Sequence, residues 1–236
     1  MVWSCSGSPI FDDVETNNLW RRASALGATA RRRVAQRRFT GSADYWERRY
    51  LMGGNSGVGS YGDFATFKAE LLNAFVVQHR IQSVIEFGCG DGHQLSLADY
   101  PRYVGLDVAP SAIEMCAKRF AEDPTKSFFL YSPRDFVGQE RTFKAELALS
   151  LDVLFHLVED DIFDTYLRQL FDTASRHVVI YSSNEEVRDR AAHVRHRKFT
   201  SWVESNIHSW HLVEETPNPF KGQKGGVASF FTYARN

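Results

Sequence analysis

A glycine-rich turn between two short apolar runs constrains this 236-residue chain more than any other feature. The first run and its turn read Val84-Ile-Glu-Phe-Gly-Cys-Gly-Asp-Gly92, and the second, Tyr103-Val-Gly-Leu-Asp107, closes on an acid fifteen residues after the last glycine. An apolar run that enters a loop with glycine at alternate positions reads as a buried parallel strand, and the missing Cβ atoms let a ligand touch backbone. Asp107 then stands where a strand-end carboxylate accepts hydrogen bonds from vicinal ribose hydroxyls. A nucleotide-type ligand at a strand end is the expectation.

A dinucleotide fold competes for the same pattern. Its G-x-G-x-x-G fingerprint needs a third glycine where this chain has His93. The spacing present is E-x-G-x-G-x-G, in Glu86, Gly88, Gly90 and Gly92. Together with Asp107 after the next strand, it resembles motif I and the ribose-binding acid of class I S-adenosylmethionine (AdoMet)-dependent methyltransferases, of the small-molecule type. The resemblance spans about residues 42–235.

Hydrophobic periodicity gives strands at 83–86, 103–107, 127–131, 147–151, 177–181, 210–214 and 229–233. Helices are expected at 42–50, 61–80, 110–120 (with Pro110 at its start) and 160–174. Strand alternating with helix implies an α/β, doubly wound, mostly parallel sheet. The last two strands follow one another without a clear helix. That agrees with the seven-stranded Rossmann-like methyltransferase sheet and its antiparallel last strand. One methyltransferase domain is expected over 41–236, with a lid and helix in 41–80 and the core in 81–236. Before it, residues 1–40 form an arginine-rich arm, with a helix expected from about residue 18 and seven arginines between 21 and 38. The arm reads either as a solvated helix face or as a segment for peripheral contact with an anionic surface.

The resemblance implies AdoMet as cofactor and distributes its contacts. Gly88, Cys89 and Gly90 map to the backbone under the methionine moiety, Glu86 to its ammonium, and Asp107 with Val108 to the ribose. Leu151 maps to the fourth-strand end beside the transferred methyl. The adenine site follows the third strand, where the family's acid is replaced by Ser132. Asp135 and Phe136 are the nearest substitutes. The segment Leu149-Ser-Leu-Asp-Val-Leu-Phe-His-Leu157 resembles motif IV, and Asp152 and His156 are the catalytic candidates. Methyl transfer from a sulfonium is an in-line displacement, and for a hydroxyl acceptor His156 is the natural base.

On the substrate side, Tyr45, Trp46, Tyr50 and Asn55 belong to the aromatic helix and glycine-rich loop that cover the cofactor in similar proteins. The aromatic spacing equally suits plain packing. Asn184 follows the fifth strand toward the same rim. Arg195 and His196 suit an anion or sugar hydroxyls, or else a solvated basic helix. No metal is expected, because His193 and His196 have no neighbouring carboxylate pair.

A formal net charge of −1 gives no global field for nucleic acid, no RNA-binding module is appended, and the Asn/Asp-Pro-Pro-Tyr/Phe clamp that similar enzymes use to methylate base amino groups is replaced by Leu151-Asp-Val-Leu. Nucleic acid is therefore the less favoured partner. The expected acceptor is a small hydroxylated molecule, a sugar, glycan or secondary metabolite, methylated on oxygen. The alternatives are an RNA methyltransferase that uses the basic arm and a non-catalytic AdoMet-binding regulatory subunit. Three isolated cysteines match neither a disulfide framework nor a zinc spacing, and no apolar stretch reaches membrane-spanning length; a cytoplasmic setting is expected. Oligomeric state leaves no mark in the sequence.

Overall fold

The computed structural model describes residues 39–187, 191–220, 222 and 226–236. The arginine-rich segment of residues 21–38 and the helix expected near residue 18 lie outside the described residues. Five α-helices and seven strands follow in the described part: α1 (Ser42–Leu51), α2 (Gly62–Gln78), β1 (Val84–Phe87), β2 (Tyr103–Asp107), α3 (Pro110–Arg119), β3 (Lys126–Leu130), β4 (Ala145–Leu151), α4 (Asp160–Thr173), β5 (Ala174–Ser182), α5 (Phe199–Asn206), β6 (Trp210–Thr216) and β7 (Ser229–Arg235). Short 3₁₀ turns occupy Val58–Ser60, Leu95–Leu97 and Leu154–His156.

The strands form one sheet in the order β3-β2-β1-β4-β5-β7-β6. Neighbours from β3 to β5 are parallel, and β7 runs antiparallel to both β5 and β6. This is the doubly wound, seven-stranded sheet with an antiparallel last strand that the sequence pattern implies. Strand order reverses between β1 and β4, and ligands of open α/β sheets bind at the carboxyl ends of strands beside such a switch.

Side-chain alternation explains why the central strands read as unbroken apolar runs. Ile85, Phe87, Ala148, Val178 and Ile180 face a core shared with Phe163, Leu167, Leu170 and Phe171 of α4. Val84, Leu147, Leu149, Val179 and Tyr181 face the opposite core, where Leu72 and Val76 of α2 and Cys116 of α3 pack. Both faces are buried, so no polar alternation is needed. Helix α3 starts on Pro110, whose missing N–H costs nothing at a first turn. A carboxylate from another helix completes that turn, as Glu47 accepts hydrogen bonds from the Ser111 N–H at 3.0 Å and its hydroxyl at 2.7 Å.

Two local expectations change. Strand β3 ends at Leu130, one residue early, although the Tyr131 N–H still donates to the Asp107 carbonyl; the Tyr131 hydroxyl donates to Gln169 Oε1 at 2.5 Å. Residues 193–198 are not helical; the helix begins at Phe199, whose ring is buried against Phe231. Among the described residues no helix is long and apolar enough to cross a membrane.

Candidate active site

A cavity of about 430 Å³ lies over the carboxyl ends of β1, β2 and β4, at the point where strand order reverses. Its floor is the glycine loop. Gly90 holds φ +58°, and a Cβ there would come within 2.3 Å of Ser56 Oγ, so only glycine fits this turn. Asp107 at the end of β2 accepts the Gly90 N–H and the Ala109 N–H, each at 2.9 Å. Burial nevertheless pushes its carboxyl up to about 6, against the lowering pull of those backbone donors. Glu86 lies deeper and burial raises it to about 7, although the Tyr103 hydroxyl donates to it at 2.6 Å and Lys68 lies near. Two buried carboxyls with elevated pKa values suit a site that receives positive charge and hydroxyl donors.

Helix α1 and the loop after it form the cover. Ser42 donates from its N–H and its hydroxyl to Glu159, at 2.9 and 2.7 Å, which ties the start of α1 to the start of α4. At the other end, Asp91 accepts the Ser56 N–H at 2.9 Å and the Tyr61 hydroxyl at 2.8 Å, while the Asp91 N–H donates to Ser56 Oγ. Burial alone would raise Asp91, but these donors and the His93 N–H hold it below the usual carboxylate range. The Tyr50 hydroxyl lies 3.1 Å from Ser56 Oγ. Aromatic side chains of the cover are thus joined to the glycine loop through Ser56 and Asp91.

Beyond β4 the wall carries the groups able to move a proton. Asp152 takes φ +60°, an unusual backbone for a non-glycine residue, fixed by the bond from its N–H to the Tyr181 carbonyl. Its carboxylate pairs with Lys68 of α2 at 2.6 Å, and the Lys68 side chain is 1% exposed. His156 closes the 3₁₀ turn with its ring edge-on to Trp46. Its Nδ1 lies 3.0 Å from the His193 carbonyl, which accepts and so places the proton on Nδ1 and the lone pair on Nε2. Burial lowers its pKa to about 4, so the ring is neutral at pH 7.

The structure brings together Trp46, Tyr50, Glu86, Gly88, Cys89, Gly90, Asp107, Val108, Leu151, Asp152 and His156 on this one cavity wall. Other residues singled out in the sequence lie elsewhere. Asp135 is exposed and Phe136 packs into the core against Phe87; Tyr131, Pro133 and Arg134 take the wall after β3. Tyr45 stacks on His193, and exposed Asn55 binds the Gly57 N–H. Asn184 is spent on Thr200 in the first turn of α5. Arg195 donates to Asp160 and the Val158 carbonyl, and His196 meets the Ser183 hydroxyl. The basic cluster therefore fastens residues 191–198 onto the start of α4.

Lys68 and Gln94 line the cavity and were not singled out in the sequence. Each reads as the polar side of a local pattern, and only contacts distant in sequence bury them.

No family model matches the sequence, and no curated protein does either. Solved structures do match. The N-methyltransferase NodS from Bradyrhizobium japonicum WM9, in complex with S-adenosyl-L-homocysteine (SAH), is 18% identical and superposes over 83% of this chain and 98% of its own, with a TM-score of 0.64. Magnesium protoporphyrin IX methyltransferase (ChlM) from Synechocystis PCC 6803 with bound SAM covers 87% and 97% at 15% identity and a TM-score of 0.57. The methyltransferase domain of bacterial CtHen1 covers 72% and 98% at 19% identity, also with 0.57. The fold is that of the class I methyltransferases. At such identities likeness extends to the fold alone, and this methyltransferase fold serves unlike acceptors among those neighbours, so acceptor identity has to come from the site.

Proposed function

We propose that this protein is an AdoMet-dependent methyltransferase that methylates a hydroxyl of a small acceptor. The cofactor fits the residues present. Asp107 would hold the ribose hydroxyls, Glu86 would face the positive methionine end, and Val108, Tyr131 and Pro133 offer an apolar wall for the base. Bound AdoMet supplies an electrophilic methyl on a sulfonium.

The observation that carries the hydroxyl reading is His156, a neutral imidazole on the cavity wall with its lone pair on Nε2. A neutral imidazole can take the proton of a hydroxyl as the oxygen attacks, and Asp152 nearby stabilises the imidazolium that results. Positive charge to hold an anionic acceptor is scarce. Among the described residues, the cations on the wall are Lys68, paired with Asp152, and Arg134, paired with Asp161 at 3.3 Å. A neutral sugar, glycan end or hydroxylated metabolite suits that wall better than a phosphorylated one.

Titration calorimetry with AdoMet and SAH, followed by transfer of a labelled methyl to a panel of neutral hydroxylated acceptors, tests the reading. Binding with transfer that His156→Ala abolishes supports it. Transfer confined to RNA, weakening steeply with salt, would instead favour the basic arm as a phosphate contact.

A further inference from the structure

The short turn that carries His156 is held from a distant stretch of chain. Residues 193–197 form no helix, yet they bond to each of the positions 155–158. The His156 Nδ1–H donates to the His193 carbonyl at 3.0 Å, and the Arg195 N–H donates to the Phe155 carbonyl at 2.8 Å. The Arg197 guanidinium donates to the Leu157 and Val158 carbonyls. Of these bonds, the one to His193 is made by the imidazole itself.

The His193 ring is fixed in turn by the cover. It lies nearly parallel to Tyr45 of α1, with centroids 4.1 Å apart and planes at 12°, and nearly parallel to His156, at 5.7 Å and 13°. Neither Tyr45 nor His193 lines the cavity. A stacked aromatic pair and a neutral hydrogen bond contribute comparable free energies, so losing the first is enough to loosen the second. Which nitrogen of a neutral histidine keeps its lone pair is set by what the other one bonds. Without a carbonyl at Nδ1 the proton is free to move to Nε2, and no lone pair is left there for an acceptor hydroxyl.

We propose that Tyr45 and His193 are positioning residues for the base: the stack of their rings sets the His193 carbonyl against Nδ1, and the seating of α1 thereby fixes the tautomer in which His156 can accept a proton. The proposal rests on the reading of His156 as the base. It gives the cover helix a part in the proton chemistry, through a residue that touches neither cofactor nor acceptor.

NMR of isotope-labelled histidine nitrogens reads the tautomer directly, because a protonated ring nitrogen and one with a free lone pair have well-separated shifts. Spectra of the full chain without ligand at pH 7, assigned by comparison with His156→Ala, should show His156 protonated on Nδ1. Tyr45→Ala should move the Nδ1–H to Nε2–H ratio toward Nε2–H by roughly two- to tenfold, the range for one neutral hydrogen bond. Tyr45→Phe keeps a ring and should leave the ratio as in the wild type. His193→Ala removes the stack from the other side, retains the carbonyl and should shift the ratio as Tyr45→Ala does; it decides the matter if Tyr45→Ala no longer melts cooperatively. An unchanged ratio in either folded alanine variant overturns the positioning role and leaves the base reading intact. Wild-type protein whose His156 carries its proton on Nε2, or is charged, overturns both.

Discussion

Lowering the pH should weaken cofactor binding in a way that the two buried carboxyls determine. Asp107 must be ionised to accept two ribose hydroxyls, yet burial holds its pKa at about 6 in the ligand-free protein. Between pH 8 and pH 5 the ionised fraction falls from nearly all to about one in eleven, so this group alone weakens binding about elevenfold, or about 1.4 kcal/mol. Glu86, raised to about 7, adds up to about ninetyfold over the same range if its anion faces the ammonium. For the free protein the sign is opposite. Both folded pKa values exceed the unfolded ones near 4, so the stability they contribute is full below about pH 4 and is lost as pH rises through 6 to 7. Calorimetry with SAH at pH 8, 7, 6 and 5, in pairs of buffers with different ionisation heats, should show falling affinity and proton release on binding. Asp107→Asn should flatten the lower part of that slope. Affinity that stays constant from pH 8 to pH 5, with no proton released, would refute the assignment of these carboxyls to the cofactor.

Other perturbations read different parts of the site. His156→Ala should cut methyl transfer by ~10²- to 10⁴-fold while SAH affinity, measured calorimetrically, stays within about twofold. Gly90→Ala places a Cβ 2.3 Å from Ser56 Oγ at φ +58°, so urea unfolding should show a loss of about 1 to 3 kcal/mol together with loss of SAH binding. Asp152→Ala strands the buried Lys68 ammonium and should cost about 3 kcal/mol in the same assay, whereas Asp152→Leu with Lys68→Met should recover most of it. Substituting Arg195 by Ala should lower the melting temperature but leave acceptor KM unchanged, because its guanidinium is occupied by Asp160 and the Val158 carbonyl.

The sheet was legible because its central strands are buried on both faces and therefore appear as continuous apolar runs of the right length. The turn of the glycine loop was legible for a related reason: its shape is set by the backbone, and Gly90 with a positive φ beside Ser56 leaves a mark in the sequence. Lys68 left none. It sits on a helix whose polar and apolar spacing looks ordinary, and its burial depends on Asp152, 84 residues later. Gln94 was hidden in the same way, since its side chain bonds the Ala65 carbonyl of α2, 29 residues earlier. Arg195 and His196 lie off the cavity wall instead. A basic cluster in sequence suggests a ligand or water, but here Arg195 and Arg197 bond to Asp160 and to carbonyls before the α4 start, and His196 meets the Ser183 hydroxyl. After β3 it is Tyr131, Pro133 and Arg134 that line the wall, while Asp135 is exposed and Phe136 is buried in the core, a difference of two or three residues that the sequence does not mark.

Side-chain hydrogen bonds fasten the cover over the cavity at Ser42 to Glu159, at Glu47 to Ser111, and at the Ser56–Tyr61 pair to Asp91. None of these anchors belongs to a strand. Residues 41–61 can therefore be treated as an exchangeable cassette, in which the side chains that meet an incoming acceptor are rewritten while three fastening points and the sheet beneath stay as they are. Under the function proposed above, a library that randomises Trp46 while preserving those anchors should change acceptor choice and leave the sheet folded.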